Sequence, residues 1–336
     1  MLRPAVSLKG LQVKSVLITE YHRIGDVLII APVLKMLKNT FPNAKIILLC
    51  KNSAVMLARH LKIADEVIGY DVPWTDWNWS IKKWFMAWRF AKKLSTRNID
   101  LAFDFKGDIR NGWFLWTTKA KVSFGYTATG GKYFYTHPKK MNQKIHQSQR
   151  AFELVFFAGC NKKRNQIKFF SYNDLGAVVI HVGASDQKRT WPMKKWVVLV
   201  RALSENLSIN IVRTDESEAL IKELEDQGLY PKCFEGNLVK FTKWLEKQKC
   251  IVAPDSMAGH LASHIGIPVV SIFGSQPIEL TRPIGKPCVV VAPDVVCNHK
   301  SNHWRLCKKC INSITPNRVE AAVYDVIKMT KILNEI

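Results

Sequence analysis

No run in this sequence approaches the roughly 18 to 20 consecutive apolar residues that a bilayer-spanning helix needs, which excludes a chain anchored by such helices. The N-terminus also lacks a long apolar stretch ending in a small-residue cleavage site, so the expected location is the cytoplasm. Acids are scarce: 27 Asp and Glu face 50 Lys and Arg, a net charge of +23. That imbalance favours a polyanionic partner, whether nucleic acid, an anionic membrane or a phosphorylated substrate. Zinc-finger spacing, an RNP aromatic pattern and a basic region leading into heptads are all missing, which demotes nucleic acid. Low-complexity tracts are missing too, so the whole chain is expected to fold.

What remains is an apolar-rich chain of 336 residues, 47% hydrophobic and 23% charged, long enough for two cores. Runs rich in Val, Ile and Leu recur at 15–19, 44–50, 98–105, 176–183, 208–213, 249–255 and 268–274, with helical patterns between them. Nearly continuous apolar strands alternating with helices predict an α/β fold with parallel sheets covered on both faces. The series breaks off near residue 125, crosses a basic, irregular stretch, and resumes near 176. Two Rossmann-like domains follow, 1–170 and 171–336. Ligands of such sheets bind beyond the carboxyl ends of the strands.

Three strand-to-helix junctions carry chemistry. In "RIGDV", Asp26 stands at a helix entrance, where free amides and the dipole favour a negative charge. A simple cap and a general base both fit it. In "HVGASDQKRTWPMKKW" (181–196), small residues including Ser185 allow close backbone approach, and Lys188 and Arg189 suit phosphate oxygens before a helix starting near Pro192. The stretch matches neither the Walker pattern nor the dinucleotide fingerprint, and a solvated basic loop is the competing reading. In "APDSMAGHLASHIGIPVVSIFG" (253–274), Asp255 or Ser256 caps a helix whose first amides face an anion. His260 lies one turn further on the face of Ser256, whereas His264 reads as structural.

Two further segments stand apart. Eight cysteines are scattered through the chain, most of them expected as buried thiols. The stretch "CNHKSNHWRLCKKC", however, gathers Cys297, Cys307 and Cys310 with His299 and His303. That set admits a structural zinc or iron, although the first spacing is atypical. The Trp-rich segment 72–94 predicts a helix with Trp84, Ala87, Trp88 and Ala91 on one side and Lys82, Lys83, Arg89, Lys92 and Lys93 elsewhere. Packing into the domain and contact with an anionic membrane interface both fit it.

Taken in order, "IGDVLIIAPVLKMLKNTFPNAKI", "HVGAS…KRTWPMKKW" and "APDSMAGHLASHIGIPVVSIFG" resemble the ADP-heptose:lipopolysaccharide heptosyltransferases, glycosyltransferase family 9, of GT-B fold. "NIDLAFDFKGDIRNG", "FEGNLVKFTKWL" and "CINSITPNRVEAAV" agree, so the resemblance spans nearly the whole chain. It implies inverting transfer of heptose from ADP-heptose to lipopolysaccharide inner core, in a cleft between the domains and without a catalytic metal. Asp26 then matches the acid that takes the acceptor's proton, and Lys188 or Arg189 the cation on the donor diphosphate. Asp255, Ser256 and His260 match the donor loop, and Glu218 is the candidate for the nucleotide ribose. Met257 departs from the family's common Gly and leaves the donor's sugar open. Phosphates and acidic sugars on such an acceptor make Lys106, Arg110 and the basic segment from Lys132 to Lys144 candidate contacts. A lipid-anchored acceptor implies peripheral contact with the cytoplasmic face of the inner membrane. The alternatives are glycosyl transfer to a protein, and a non-catalytic basic protein binding nucleic acid or anionic lipid on a degenerate transferase fold.

Overall fold

The computed structural model describes residues 12–75, 80–160, 173, 175–285, 287–295 and 307–335. They fall into two compact units, Met1–Asn165 and Gln166–Ile336. In the first, β1 (Ser15–Glu20), α1 (Ile24–Thr40), β2 (Lys45–Cys50), α2 (Asn52–His60) and β3 (Glu66–Gly69) lead to α3 (Ile81–Leu94). Then come β4 (Leu101–Asp104), α4 (Ile109–Thr117), β5 (Val122–Tyr126), β6 (His137–Lys139) and α5 (Gln147–Phe157). The second runs β7 (Val178–Ile180), α6 (Met193–Ser204), β8 (Ile209–Val212), α7 (Glu218–Asp226), β9 (Lys232–Phe234) and α8 (Leu238–Leu245). It continues with β10 (Cys250–Pro254), α9 (Met257–Ile265), β11 (Val269–Ile272), α10 (Ile278–Thr281), β12 (Cys288–Val291), α11 (Lys308–Ser313) and α12 (Pro316–Glu335).

Each unit holds one all-parallel six-stranded sheet, ordered β3-β2-β1-β4-β5-β6 and β12-β11-β10-β7-β8-β9. Counted from its own first strand, each sheet has the order 3-2-1-4-5-6. The strands next to the point where the order reverses are buried on both faces: β1 after its first residue, and all of β4, β7 and β10. That is why they read as unbroken apolar runs. The point of reversal lies between β1 and β4 in one unit and between β7 and β10 in the other. There, helices leave to opposite faces and open a crevice at the carboxyl edge.

Helix ends follow local chemistry. Ser80 caps α3, its hydroxyl accepting from the Lys83 amide, and Asp108 caps α4 through the Arg110 amide. α9 stops at Gly266, whose φ of 86° supplies the left-handed turn that side chains disfavour. α6 begins after Pro192, as its sequence predicts. The Trp191 indole donates to the Ile314 carbonyl at 3.1 Å, and Lys195 Nζ donates to the same oxygen at 2.8 Å. The "CINSIT" segment thereby fixes the loop carrying Lys188 and Arg189. No described helix is long and apolar enough to cross a membrane.

Candidate functional site

At the carboxyl edge of the first sheet, the segments after β1 and β4 meet through one ion pair. Asp26 is the third residue of α1 and not its N-cap; its Oδ2 reaches back to accept from the Arg23 amide at 3.1 Å. Lys106 follows β4 and donates from Nζ to Asp26 Oδ1 at 2.6 Å and to Gln147 Oε1 at 3.1 Å. Gly107 (φ 70°) makes this turn possible, since a Cβ there would sit 2.8 Å from the Tyr126 backbone oxygen. Beneath the pair lies Glu20, the last residue of β1, with a side chain 0% exposed; its Oε2 is 3.5 Å from Lys106 Nζ. Its Oε1 accepts from the His22 amide at 3.3 Å and lies 3.2 Å from His22 Nδ1.

The electrostatics follow from this geometry. Burial opposes ionisation of Asp26, but Lys106, His22 and the Arg23 amide outweigh it and hold the carboxyl down at about 2. Burial likewise opposes the Lys106 charge, and Asp26 and Glu20 overcome it, raising the ammonium above its ordinary value. Asp26 is therefore a carboxylate at neutral pH, and with 18% of its side chain exposed it can still receive a proton from a docked hydroxyl.

One layer deeper, burial pushes Asp104 up to about 6, against hydrogen bonds from Tyr135, the Lys106 amide and Asn111. Tyr135 Oη donates to Asp104 Oδ2 at 2.6 Å. The folded state therefore keeps this proton up to about pH 6, whereas an unfolded aspartic acid loses it near 4. Asp104 thus contributes stability that is fully present below about pH 4 and lost as pH rises through 6. Urea unfolding of Asp104→Asn should lack roughly 3 kcal/mol of the wild type's decline across that window, two pKa units at 1.36 kcal/mol each. Identical slopes in both proteins would contradict the assignment.

The second sheet repeats the arrangement. The loop after β7 and the segment after β10 meet through Arg189 Nη1 and Asp255 Oδ2, 3.1 Å apart, with the two side chains 20% and 8% exposed. Ser256 is the N-cap of α9, but its hydroxyl makes no capping bond, and its buried oxygen has no hydrogen-bond partner. Asp255 is thus engaged by Arg189 and does not cap α9. Met257 opens α9 half-buried, and His260 sits half-buried within its first turns. Lys188 and Ser185 are exposed, and the Lys188 amide is held by Asp186 Oδ1 at 2.8 Å.

One expected ligand stands elsewhere. Glu218 pairs with Arg213 Nε at 3.3 Å, with more than half its side chain exposed. Glu216, two residues earlier and also exposed, reaches toward β7 instead: its Oε2 lies 3.3 Å from where a Cβ on Gly183 would be, at the carboxyl end of that strand. A hydrogen bond with Thr214 and one from its own amide hold Glu216 below its ordinary value, and burial holds the nearby His181 below its own. Sequence reasoning missed both Glu216 and Glu20. An acid at the carboxyl end of a buried parallel strand was the available signal for Glu20.

Of the acceptor candidates, Lys106 is drawn into the Asp26 cluster and Arg110 is held by Asp108. Lys132 is exposed, its ammonium 5.3 Å above the Tyr133 ring. Trp88 departs from the expected buried side of α3: Ala87, Ala91 and Leu94 are buried there, and Trp88 faces outward. Cys297, His299 and His303 lie outside the described residues. Cys307 stands at the N-terminal boundary of α11 without a capping bond, Cys310 is buried in that helix, and the described residues hold no group of three or more His, Cys, Asp or Glu suited to a metal.

The profile of Glycosyltransferase family 9 (heptosyltransferase) matches residues 87–310. Among solved structures, the E. coli heptosyltransferase WaaC with ADP superposes at a TM-score of 0.73 and 18% identity, over 93% of this chain and 99% of that one. E. coli ADP-heptose lps heptosyltransferase II gives 0.72 and 14%, covering 95% and 100%. A family 9 glycosyltransferase from Veillonella parvula gives 0.74 and 14%, covering 94% and 97%. No curated protein sequence matches significantly.

Proposed function

Because the chain belongs to glycosyltransferase family 9 and has the GT-B architecture, we propose that it transfers heptose from ADP-heptose, with inversion, to the inner core of lipopolysaccharide. The observation that carries this reading is the pairing at the two points of strand reversal. Asp26, held ionised by Lys106, is a base; the Arg189–Asp255 pair, with Ser256 at a helix entrance, is an anion site. Asp26 precedes the span matched by the family profile, so its role rests on this geometry.

In the reaction, the acceptor oxygen forms its bond to the anomeric carbon as the carbon–phosphate oxygen bond breaks. The acceptor's proton passes to Asp26, and ADP leaves with the bonding pair. Charge grows on the departing diphosphate, so cations and helix-end amides that meet it favour the transition state over bound substrate. Arg189, held by Asp255, is oriented for this, Lys188 supplies a free-standing cation, and the unsatisfied Ser256 hydroxyl has a bond to offer. Met257 and His260 border the transferred sugar. Glu216 rather than Glu218 takes the ribose, since Glu216 is the acid beside Gly183. Lys132 and the Asp108-paired Arg110 are the cations that would face an acidic acceptor, and the reaction runs at the cytoplasmic face of the inner membrane.

The test is release of ADP from ADP-heptose, with and without lipopolysaccharide core acceptor, with the product identified by mass. Acceptor-dependent release and a mass gain of one heptose are expected. Glu216→Gln should raise the donor KM about tenfold, the worth of one charge-assisted hydrogen bond, while Glu218→Gln leaves it unchanged. The reverse order would return the ribose contact to Glu218, and no turnover of any nucleotide sugar would overturn the reading.

A further inference from the structure

The outer face of α3 is unlike that of an ordinary surface helix. Ala87, Ala91 and Leu94 bury one side, yet Ile81 is 91%, Phe85 55% and Trp88 37% exposed. At 100° per residue these three form one stripe, spaced i, i+4, i+7, and Lys82, Arg89 and Lys93 form a second stripe beside it. Phe85 and Trp88 stack at 5.7 Å, the Arg89 guanidinium lies 6.0 Å over Phe85, and Lys92 Nζ lies 4.9 Å over Trp88. The apolar surface continues onto α4. Trp84, one turn before Trp88, meets Trp113 at 5.7 Å; one turn beyond, the exposed Trp116 meets Phe134 at 6.1 Å. Neither helix contains an acid.

The height of the stripe on the fold is also fixed. Phe90 stacks on Tyr70, the residue that follows β3, at 4.2 Å, and Arg97 pairs with Glu66 at the start of β3. The helix therefore runs antiparallel to the strand, and its first turns, before Phe90, lie toward the carboxyl edge of the sheet. Asp26 belongs to that same edge.

From this geometry we infer that the Ile81–Phe85–Trp88 stripe of α3, flanked by Lys82, Arg89, Lys92 and Lys93, is a membrane-insertion face. It seats the carboxyl edge of the first unit on a bilayer bearing anionic headgroups. Aromatic and aliphatic side chains enter the boundary between headgroups and acyl chains, and the cations pair with lipid phosphates. Charge selects this occupant: an acid-free, cation-flanked face repels a second copy of a +23 chain. The Phe85 and Trp88 rings, in turn, are taken up by each other and by the cations over them, and Ile81 is aliphatic, so the stripe offers no open platform for stacking a base. This reading goes beyond the donor chemistry and does not depend on which sugar is moved.

The test is co-sedimentation of the full-length chain with vesicles of phosphatidylglycerol and phosphatidylethanolamine (3:7), against pure phosphatidylcholine. Binding to the anionic vesicles alone is expected. Phe85→Ser with Trp88→Ser, and separately Lys82→Ser with Lys93→Ser, should each weaken it at least about tenfold. Lys222→Ser with Lys243→Ser removes the same charge from exposed helix positions of the second unit and should change it less than about twofold. Equal losses from both lysine pairs would show adsorption by net charge and overturn the face. So would undiminished binding by the Phe85/Trp88 variant, or a dimer in sedimentation equilibrium that this variant dissolves. Vesicle-free ADP release from ADP-heptose should be the same in all variants, so a failure of the donor reading shows up separately.

Discussion

Asp26→Asn should lower kcat by about 10²- to 10⁴-fold, the usual worth of a positioned general base, while donor KM moves little. The substitution is nearly isosteric and can keep an oxygen for the Arg23 amide, but it removes the charge that pairs with Lys106 together with the capacity to hold the acceptor's proton. In barrier terms this is roughly 3 to 5 kcal/mol. A carboxyl held at about 2 also implies that the wild type shows no acid limb from this group between pH 5 and 8. A fall in kcat below about threefold would remove Asp26 from the chemistry and return it to capping α1.

Lys106→Met should have the second largest effect, and it should appear in two observables at once. Removing the ammonium leaves the fully buried Glu20 without its cation, and breaking a buried pair from one side costs about 3 kcal/mol or more. It also frees Asp26 from its 2.6 Å bond, and a misplacement of 1 Å at the reacting centre is worth about 100-fold in rate. The sign of the pH effect follows from what is left. With the cation gone, burial of Asp26 is opposed only by His22 and the Arg23 amide, so its pKa rises and an acid limb moves up into the measured range. The double variant Glu20→Gln with Lys106→Met should recover most of the lost stability, because the buried carboxyl is gone. It should not recover kcat. Lys106→Arg should recover part of kcat, since a cation again faces Asp26. If the double variant restored rate together with stability, Lys106 would have only a structural role.

The residues that carry these effects differ in how far the sequence discloses them. β1, β2, β4, β7, β8, β10 and β11 read as strands because double-sided burial leaves an unbroken apolar run. β3, β6, β9 and β12 are short and stand at or beside sheet edges, where one face is polar and the run dissolves. "HPK" has no strand pattern at all; β6 exists because β5 offers it a partner. The junction logic singled out Asp26, Arg189, Asp255 and Ser256 because each lies between the carboxyl end of a strand and the first turn of the helix that follows. It could not anticipate that Lys106, eighty residues after Asp26, would bond to it instead of standing free for an acceptor. Nor could it separate Glu216 from Glu218, because a step of two residues decides which acid faces Gly183 and which meets Arg213. Of the two readings of the Trp-rich segment, packing accounts for one side of α3, which enters the core, while the other side remains uncovered.

The indole of Trp191, bonded to the Ile314 carbonyl across the second unit, makes the end of the chain a thermodynamic partner of the loop proposed to hold the donor. Whatever part of a ligand's steadying of Lys188 and Arg189 passes through this bond, the coupling free energy is the same when read from the junction of α11 and α12, because linkage between two sites is reciprocal. Donor binding at that loop should then be legible far from it, as slower amide exchange in the C-terminal helix.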